Sequence, residues 1–186
     1  MRARALFLAG RPDEAQEAYS QLRRLLPIPM ANPTWPAVLL HVVDLFALVG
    51  DAEGAQLVYD QLVLFQPYPG ALGTPTACFS GTVSREPGRL ALAAGHPAED
   101  AEKLLREALI RNRALGARPY VALTCLDLAA VRRDRGALAD AAALAGEAPV
   151  LADRLNQPGP CAAALRLIED LRVAAGPLTP GTGEGC

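Results

Sequence analysis

The chain repeats itself around glycine, and this restricts its fold more than any other feature. Four segments align: LFLAGRPDEAQEAYSQLRRLLP (6–27), LFALVGDAEGAQLVYDQLVLFQP (45–67), LALAAGHPAEDAEKLLREAL (90–109) and VRRDRGALADAAALAGEA (131–148). Their glycines, Gly10, Gly50, Gly95 and Gly136, are spaced by 40, 45 and 41 residues. Five residues after three of them stands Ala15, Ala55 or Ala141, and the third segment has one extra residue before Ala101. Four further on comes Tyr19, Tyr59, Leu105 or Ala145, and three beyond that Leu22, Leu62, Ala108 or Ala148. A repeat of this length is one supersecondary unit that buries its apolar face against its neighbours.

Each position has a physical meaning. The glycine ends one helix in the left-handed conformation, where a Cβ is unfavourable. Asp13, Asp51 and Pro97 suit the start of the next helix, because acids meet the positive dipole end and proline needs no donor there. The small alanine lets two helix backbones approach, and the residues four and seven later continue that face. Upstream, Trp35–Val49, with Thr34 as N-cap, and Pro119–Arg135 read as the first helix of their hairpins. The unit is helix A, glycine turn, helix B. Composition agrees: 36 Ala and 30 Leu stand against 11 Val and 3 Ile, which favours helix over strand.

The expected fold is therefore all-α, an α-solenoid of three to four helical hairpins followed by a separate helix, Pro160–Ala175. Residues 1–176 form one repeat domain and 177–186 a disordered tail. The Pro- and Gly-rich stretches 27–36 and 67–75 read as loops. Pro87 should make helix A of the third unit start late or kink, and Pro149 should do the same to helix B of the fourth.

Several function classes are excluded. A net charge of −2 and a pI near 5.7 give no general pull toward nucleic acid or anionic membrane. No apolar run reaches the ~18 residues of a membrane span, and the N-terminus lacks a signal-peptide core, so the expected location is cytoplasmic. Cys78, Cys125, Cys161 and Cys186 lie tens of residues apart without CxxC pairing, so no metal or cofactor is expected.

Gly, Ala five on, an aromatic four beyond, and Pro27 or Pro67 closing helix B together resemble the second half of a tetratricopeptide (TPR) repeat. The match is close in the first two units and weaker in the last two, where Arg113 and Asp153 hold the proline's place. Pieces within 35–157, such as GDAEGAQLVYDQL and LLREALIRNRALGARPYVALTCLDLAAVRRDRG, resemble the C-terminal helical region of large bacterial regulators. Those carry an ATPase module followed by TPR-like repeats, often with a LuxR-type DNA-binding domain. The resemblance implies a regulatory, protein-binding module in bacterial transcription regulation or signalling. It does not imply an ATPase, because no GxxxxGK[ST] occurs.

No residue set announces catalysis. His41 and Asp44 share a helix face, but no nucleophile signature accompanies them. Arg132, Arg133 and Arg135 read as a solvated helix C-terminus; Glu99, Asp100 and Glu102 read as a solvated helix start. Tyr19, Tyr59 and Trp35 read as packing residues. The resemblance implies that the A helices line a concave face. Counting back six residues from each glycine selects Arg4, Asp44, Arg89 and Ala130. Ten back selects Leu40, Arg85 and Leu126, and three back selects Phe7, Ala47, Leu92 and Arg133. Leu40, Asp44, Arg85, Arg89, Leu126 and Arg133 are thus expected to share one groove, suited to an acidic and apolar protein segment. Arg85, Arg89 and Arg133, if exposed there, should tolerate replacement by Glu without loss of fold.

The expected function is a non-enzymatic scaffold for protein–protein interaction, against the alternative of a small-molecule sensor or accessory enzyme with a pocket between helices. Titration calorimetry of the isolated chain should show no saturable ATP binding at micromolar affinity, since no phosphate-cradling loop with its lysine is present. Saturable micromolar binding would refute this reading.

Overall fold

All four aligned glycines adopt the left-handed conformation, with φ of 70°, 70°, 82° and 79° at Gly10, Gly50, Gly95 and Gly136. At each, the next residue's N–H reaches back to the carbonyl five positions earlier: Arg11 to Leu6, Asp51 to Phe46, His96 to Ala91 and Ala137 to Arg132, at 2.8–3.1 Å. This is the Schellman closure of a helix C-terminus. Gly116 (φ 64°) and Asn156 (φ 52°) make the same closure, through Ala117 to Asn112 and Gln157 to Ala152. Those two turns are not among the aligned positions.

A computed structural model describes residues 2–28, 35–66, 68–72 and 78–175. Among them the fold is all-α apart from one short hairpin. Nine helices follow in order: α1 (Arg2–Leu8), α2 (Pro12–Arg23), α3 (Trp35–Val49), α4 (Ala52–Leu62), α5 (Arg85–Ala93), α6 (Ala98–Ala114), α7 (Arg118–Asp134), α8 (Leu138–Arg154) and α9 (Pro158–Ala175). A 3-10 turn, Val63–Phe65, extends α4. The tail expected at 177–186 lies outside the described residues, as does Thr34.

The helix starts follow local chemistry. Pro12, Asp13 and Glu14 open α2. Asp51 caps α4, accepting the Gly54 N–H at 2.7 Å. Gly54 has to be glycine, since a Cβ would meet Asp51 Oδ2 at 2.5 Å and Phe46 Cε1 at 2.9 Å. Pro87 falls in the first turn of α5, where a missing N–H leaves nothing unpaired, so this helix starts late and has only 9 residues. Pro149 does not interrupt α8, contrary to expectation. Ala141, Ala145, Ala148 and Ala152 are buried on both sides of the proline, so packing holds the helix through it.

The stretch read as a loop at 67–75 contains a strand. β1 (Pro69–Leu72) pairs antiparallel with β2 (Cys78–Thr82), in register Ala71 with Phe79 and Leu72 with Cys78. Its anchor is remote: the Thr82 N–H donates to Oδ1 of buried Asn112 on α6 at 3.0 Å. The Asn112 Nδ2 donates to Thr124 Oγ1 on α7, which donates to the Tyr120 carbonyl. A partnered buried amide of this kind fixes one arrangement, because any other leaves it unsatisfied.

The repeat alanines Ala15, Ala55, Ala101 and Ala141 are all fully buried. Helix α1 packs on α2, successive helices from α3 to α9 pack on one another, and α1 also meets α3, α3 meets α5 and α7 meets α9. Apolar side chains from α1 to α5 form one core around Phe46, Leu62 and Leu90. Those from α6 to α9 form further clusters around Leu105, Leu128 and Leu167. Across this seam α5 presses on α6 through Gly88, where a Cβ would lie 2.8 Å from Leu105 Cγ.

Ala55→Arg should be severely destabilising. The longer side chain overpacks the helix contact at ~1–3 kcal/mol, and its buried charge adds more. Glu53, whose side chain is 86% exposed and lies 3.3 Å from Arg23 Nη2, should tolerate Arg at a cost of ~0.3–1 kcal/mol for the lost dipole interaction and at most ~1 kcal/mol for the lost surface pair. Similar melting temperatures for the two variants would contradict this register.

Candidate functional site

A charged row runs along the odd-numbered helices. Arg4 on α1, Asp44 on α3 and Arg89 on α5 occupy the same place, six residues before their glycines. Asp44 accepts from Arg89 Nη2 through Oδ1, and Arg4 Nη2 lies 3.0 Å from its Oδ2. The fourth place is Ala130, which bears no charge, and Asp127 one turn earlier on α7 stands in. Its carboxylate faces Arg85 Nε at 2.7 Å and Arg89 Nε at 3.7 Å. Glu86 completes the set, 2.8 Å from Arg85 Nη1 and 3.0 Å from Arg89 Nη1. Three arginines and three carboxylates cancel.

Burial and pairing compete at each group. Burial disfavours the Arg89 cation, yet Glu86, Asp127 and Asp44 outweigh it and hold its pKa above the ordinary value. Burial pushes Asp44 up, but Arg89, Arg4 and Arg85 bring it below the usual carboxylate range. At Asp127 burial prevails over Arg85 and Arg89, with Glu86 adding to it, so its carboxyl is raised. The sign matters for stability. Asp44 contributes stability above its unfolded pKa that is lost as pH falls through its folded one. Asp127 does the opposite, since its ionised form is disfavoured in the fold.

Beside this row lies a groove of about 390 Å³ bounded by α3, α5 and α7. Val43, Phe46 and Ala47 line it from α3, Leu92 and Ala93 from α5, and Ala130 from α7, with Arg89 and Asp127 as its charged members. Leu92 is 42% exposed, so the groove presents apolar surface to solvent.

Of the sequence-selected residues, Asp44, Arg85 and Arg89 come together. Leu40 packs half-buried against the first core and Leu126 against the second and third, so neither is among the lining side chains. Arg133 lies two turns beyond Asp127, 2.9 Å from Asp134 and 3.9 Å from Asp170 of α9. Arg85 and Arg89 are not exposed cations: their side chains are 12% and 26% accessible and held by acids of the same chain. The expectation that all three arginines tolerate Glu therefore fails for these two, because Glu would face Asp44, Glu86 and Asp127.

Glu86 and Asp127 were missed, although the sign alternation Arg4, Asp44, Arg89 calls for an acid on the next A helix. Glu102 was misread as solvated. It is buried, with Arg132 Nη2 at 2.5 Å, Arg106 Nε at 3.3 Å and Arg135 in contact. Arg132 also pairs with Asp140 and Arg135 with Glu99, so these helix-end cations are partnered.

Further candidates resolve into structure. Tyr19 is buried and donates its hydroxyl to Asp51 at 2.5 Å, while Arg23 Nε donates to the same oxygen at 2.7 Å. Burial works against the Asp51 charge, but these donors and the Gly54 N–H hold its pKa low. Tyr59 packs edge-on against His96 with ring centroids 4.7 Å apart. Asp44 has both oxygens engaged by arginine, and the side chains of His41 and Trp35 lie outside the described residues. Burial, with Glu147 adding to it, pushes the thiol of Cys125 up to about 12, so it is not a nucleophile at neutral pH. Among the described residues no group of His, Cys, Asp and Glu could hold a metal ion, and no helix is long and apolar enough to cross a membrane.

No family model, curated protein or solved structure matches the chain.

Arg89→Glu should lower stability by ~1–3 kcal/mol, less than a fully buried pair because Arg89 keeps some solvent. Arg133→Glu should stay within ~0.5 kcal/mol. Urea denaturation checks both, and equal costs would contradict the charged row.

Proposed function

We propose that the chain is a non-enzymatic, TPR-like α-solenoid that binds a protein segment in the groove between α3, α5 and α7. The pairs α1–α2, α3–α4, α5–α6 and α7–α8 are its hairpins and α9 its closing helix. The observation that carries this reading is the groove itself: three helices from three successive hairpins each contribute apolar surface, and two of its charged members neutralise each other. Partners of helical repeat proteins sit on such extended surfaces. A charge-balanced site supports an apolar anchor residue more than the acidic segment expected from the sequence, since balanced charges provide little steering. The resemblance to helical regions of bacterial regulators supports a cytoplasmic role in transcription regulation or signalling.

One observation favours the alternative of a small-molecule sensor. The cavity of about 390 Å³ falls within the ~300–1,000 Å³ of ligand sites, and Arg89 and Asp127 converge on it. Native mass spectrometry of the purified chain separates the two readings by the presence or absence of a co-purifying ligand.

The scaffold reading is tested by photo-crosslinking residues placed at Ala47 and at Ile110 in lysate of the source cells. Ala47 lies in the groove, and Ile110 is an exposed position on α6. Discrete crosslinked proteins should appear from Ala47 only, and Leu92→Glu should abolish them without lowering the melting temperature. Equal crosslinking from Ile110, or crosslinks indifferent to Leu92→Glu, would contradict the groove.

A further inference from the structure

Helix α9 is a further copy of α7. The left-handed turns at Gly116 and Asn156, before the two helices, stand 40 residues apart, as do Gly136 and Gly176 after them. On α7 the places 14 and 7 residues before the glycine are Ala122 and Ala129, and neither has accessible surface. The same places on α9 are Ala162 and Glu169, and both are exposed. Helix α7 packs against α6, α8 and α9, whereas α9 packs against α8 and α7. Helix α9 thus stands as the first half of a hairpin whose second half is not among the described residues.

The outward side of α9 is one straight stripe. Ala162, Arg166, Glu169 and Val173 follow at intervals of four, three and four residues, the spacing of a coiled-coil seam, and all are exposed. They lie opposite Ala164, Leu167 and Leu171, which are buried. Val173 is 73% exposed. Ala162, about 16 Å from it along the helix, borders a groove of about 330 Å³ whose other apolar walls are Ala152, Pro158, Cys161 and Leu165. In the first hairpin the outward residues of α2 at matching intervals, Asp13, Glu17 and Ser20, are all polar.

We propose that the α9 stripe binds the same stripe of a second copy of the chain, in an antiparallel homodimer with its two-fold axis at the level of Leu167 and Ile168.

Charge and shape select this occupant and this register. In the antiparallel pair Val173 of one copy meets Ala162 and its groove on the other, and Arg166 meets Glu169. The two-fold axis makes each contact twice. A parallel pair would set Arg166 against Arg166 and Glu169 against Glu169, so charge rejects it. The flanking places bring Leu165 opposite Arg172 and Ala163 opposite Asp170, so no like charges meet. Among the described residues Arg166 has no carboxylate partner, and Glu169 has the loose 3.7 Å contact with Arg172, both side chains being well exposed. A polar pair within an apolar seam lowers stability but fixes one register. Residues 176–186, with four glycines and two prolines, are a poor sequence for the missing second helix. One helix on its twin is a small interface, so the association is weak and needs high protein concentration. The groove between α3, α5 and α7 is lined by no residue of α8 or α9, so dimerisation and docking there are independent.

Sedimentation velocity of the purified chain in reducing buffer tests this. The wild type should pass from monomer to dimer as concentration rises. Arg166→Glu and Glu169→Arg each set like charges together in this register, and each should stay monomeric over the same range. An equimolar mixture of the two should dimerise, because one copy then carries two acids along the seam and the other two arginines. Val173→Asp should be monomeric. All three positions are exposed, so helical ellipticity should be unchanged. The doubly exchanged chain, Arg166→Glu with Glu169→Arg, restores both pairs and should dimerise, which keeps the test decisive if a single variant loses helix. A wild type that stays monomeric at every concentration overturns the proposal, whether the stripe is then bare, covered by residues 176–186 or bound to another protein. A dimer that both single variants preserve overturns it too, as does a mixture that remains monomeric.

Discussion

The contact on which the rest depends is the close approach of two helices at a buried alanine, just past a left-handed turn. Ala15, Ala55, Ala101 and Ala141 have no accessible surface, and each follows a glycine whose positive φ ends the preceding helix. The turn fixes where helix B begins and the alanine fixes how near it comes. With no accessible surface at the methyl group, a larger side chain would have to displace its neighbours. Once a hairpin closes in this way, its second face is left apolar and is covered by the next unit. The charged row follows from the packing of α1 on α3 and of α3 on α5, and it reaches α7 through Arg85 and Arg89 on Asp127.

Charge then tunes what packing has placed. Arg4, Asp44 and Arg89 alternate in sign at one repeat position, and Asp127 continues the alternation from a turn away because Ala130 holds the fourth place. That substitution has two consequences. The small side chain contributes to the groove, and the displaced carboxylate becomes the link between α7 and α5. A partly buried ionic cluster of this kind is weak evidence for net stability, since desolvation offsets much of the attraction. Its better-attested use is to favour one arrangement over others, and here it links helices that packing has already brought near one another.

Much of the fold was legible because it is written in local terms. Left-handed glycines, N-terminal acids and small contact residues act within a few positions of themselves, so their spacing reports the hairpins directly. Pro87 likewise announced the late start of α5. What was hidden depends on residues far apart in sequence. The strand pair at 69–82 is anchored by Asn112, thirty residues from Thr82, and nothing in PYPGALGTP signals it. Glu102 sits in an acidic helix start that looks solvated until Arg132 of α7 and Arg135, just past that helix, pair with it. For the groove, sequence placed Asp44, Arg85 and Arg89 together, but whether an arginine is free or paired is a tertiary fact. Leu40 and Leu126 were selected by spacing, yet they turn to the cores because the apolar stripe of an A helix is wider than its groove-facing edge.

The central claim is that α1, α3 and α5 lie side by side and share this charged row. A charge-swap cycle at Asp44 and Arg89, on α3 and α5, tests it most directly. Asp44→Arg and Arg89→Asp should each lower stability in urea denaturation, and the double variant should recover part of the loss, with a coupling of ~1–3 kcal/mol. A double variant as unstable as the sum of the two single changes would mean that these side chains do not meet, and the stacking of α3 on α5 would be wrong.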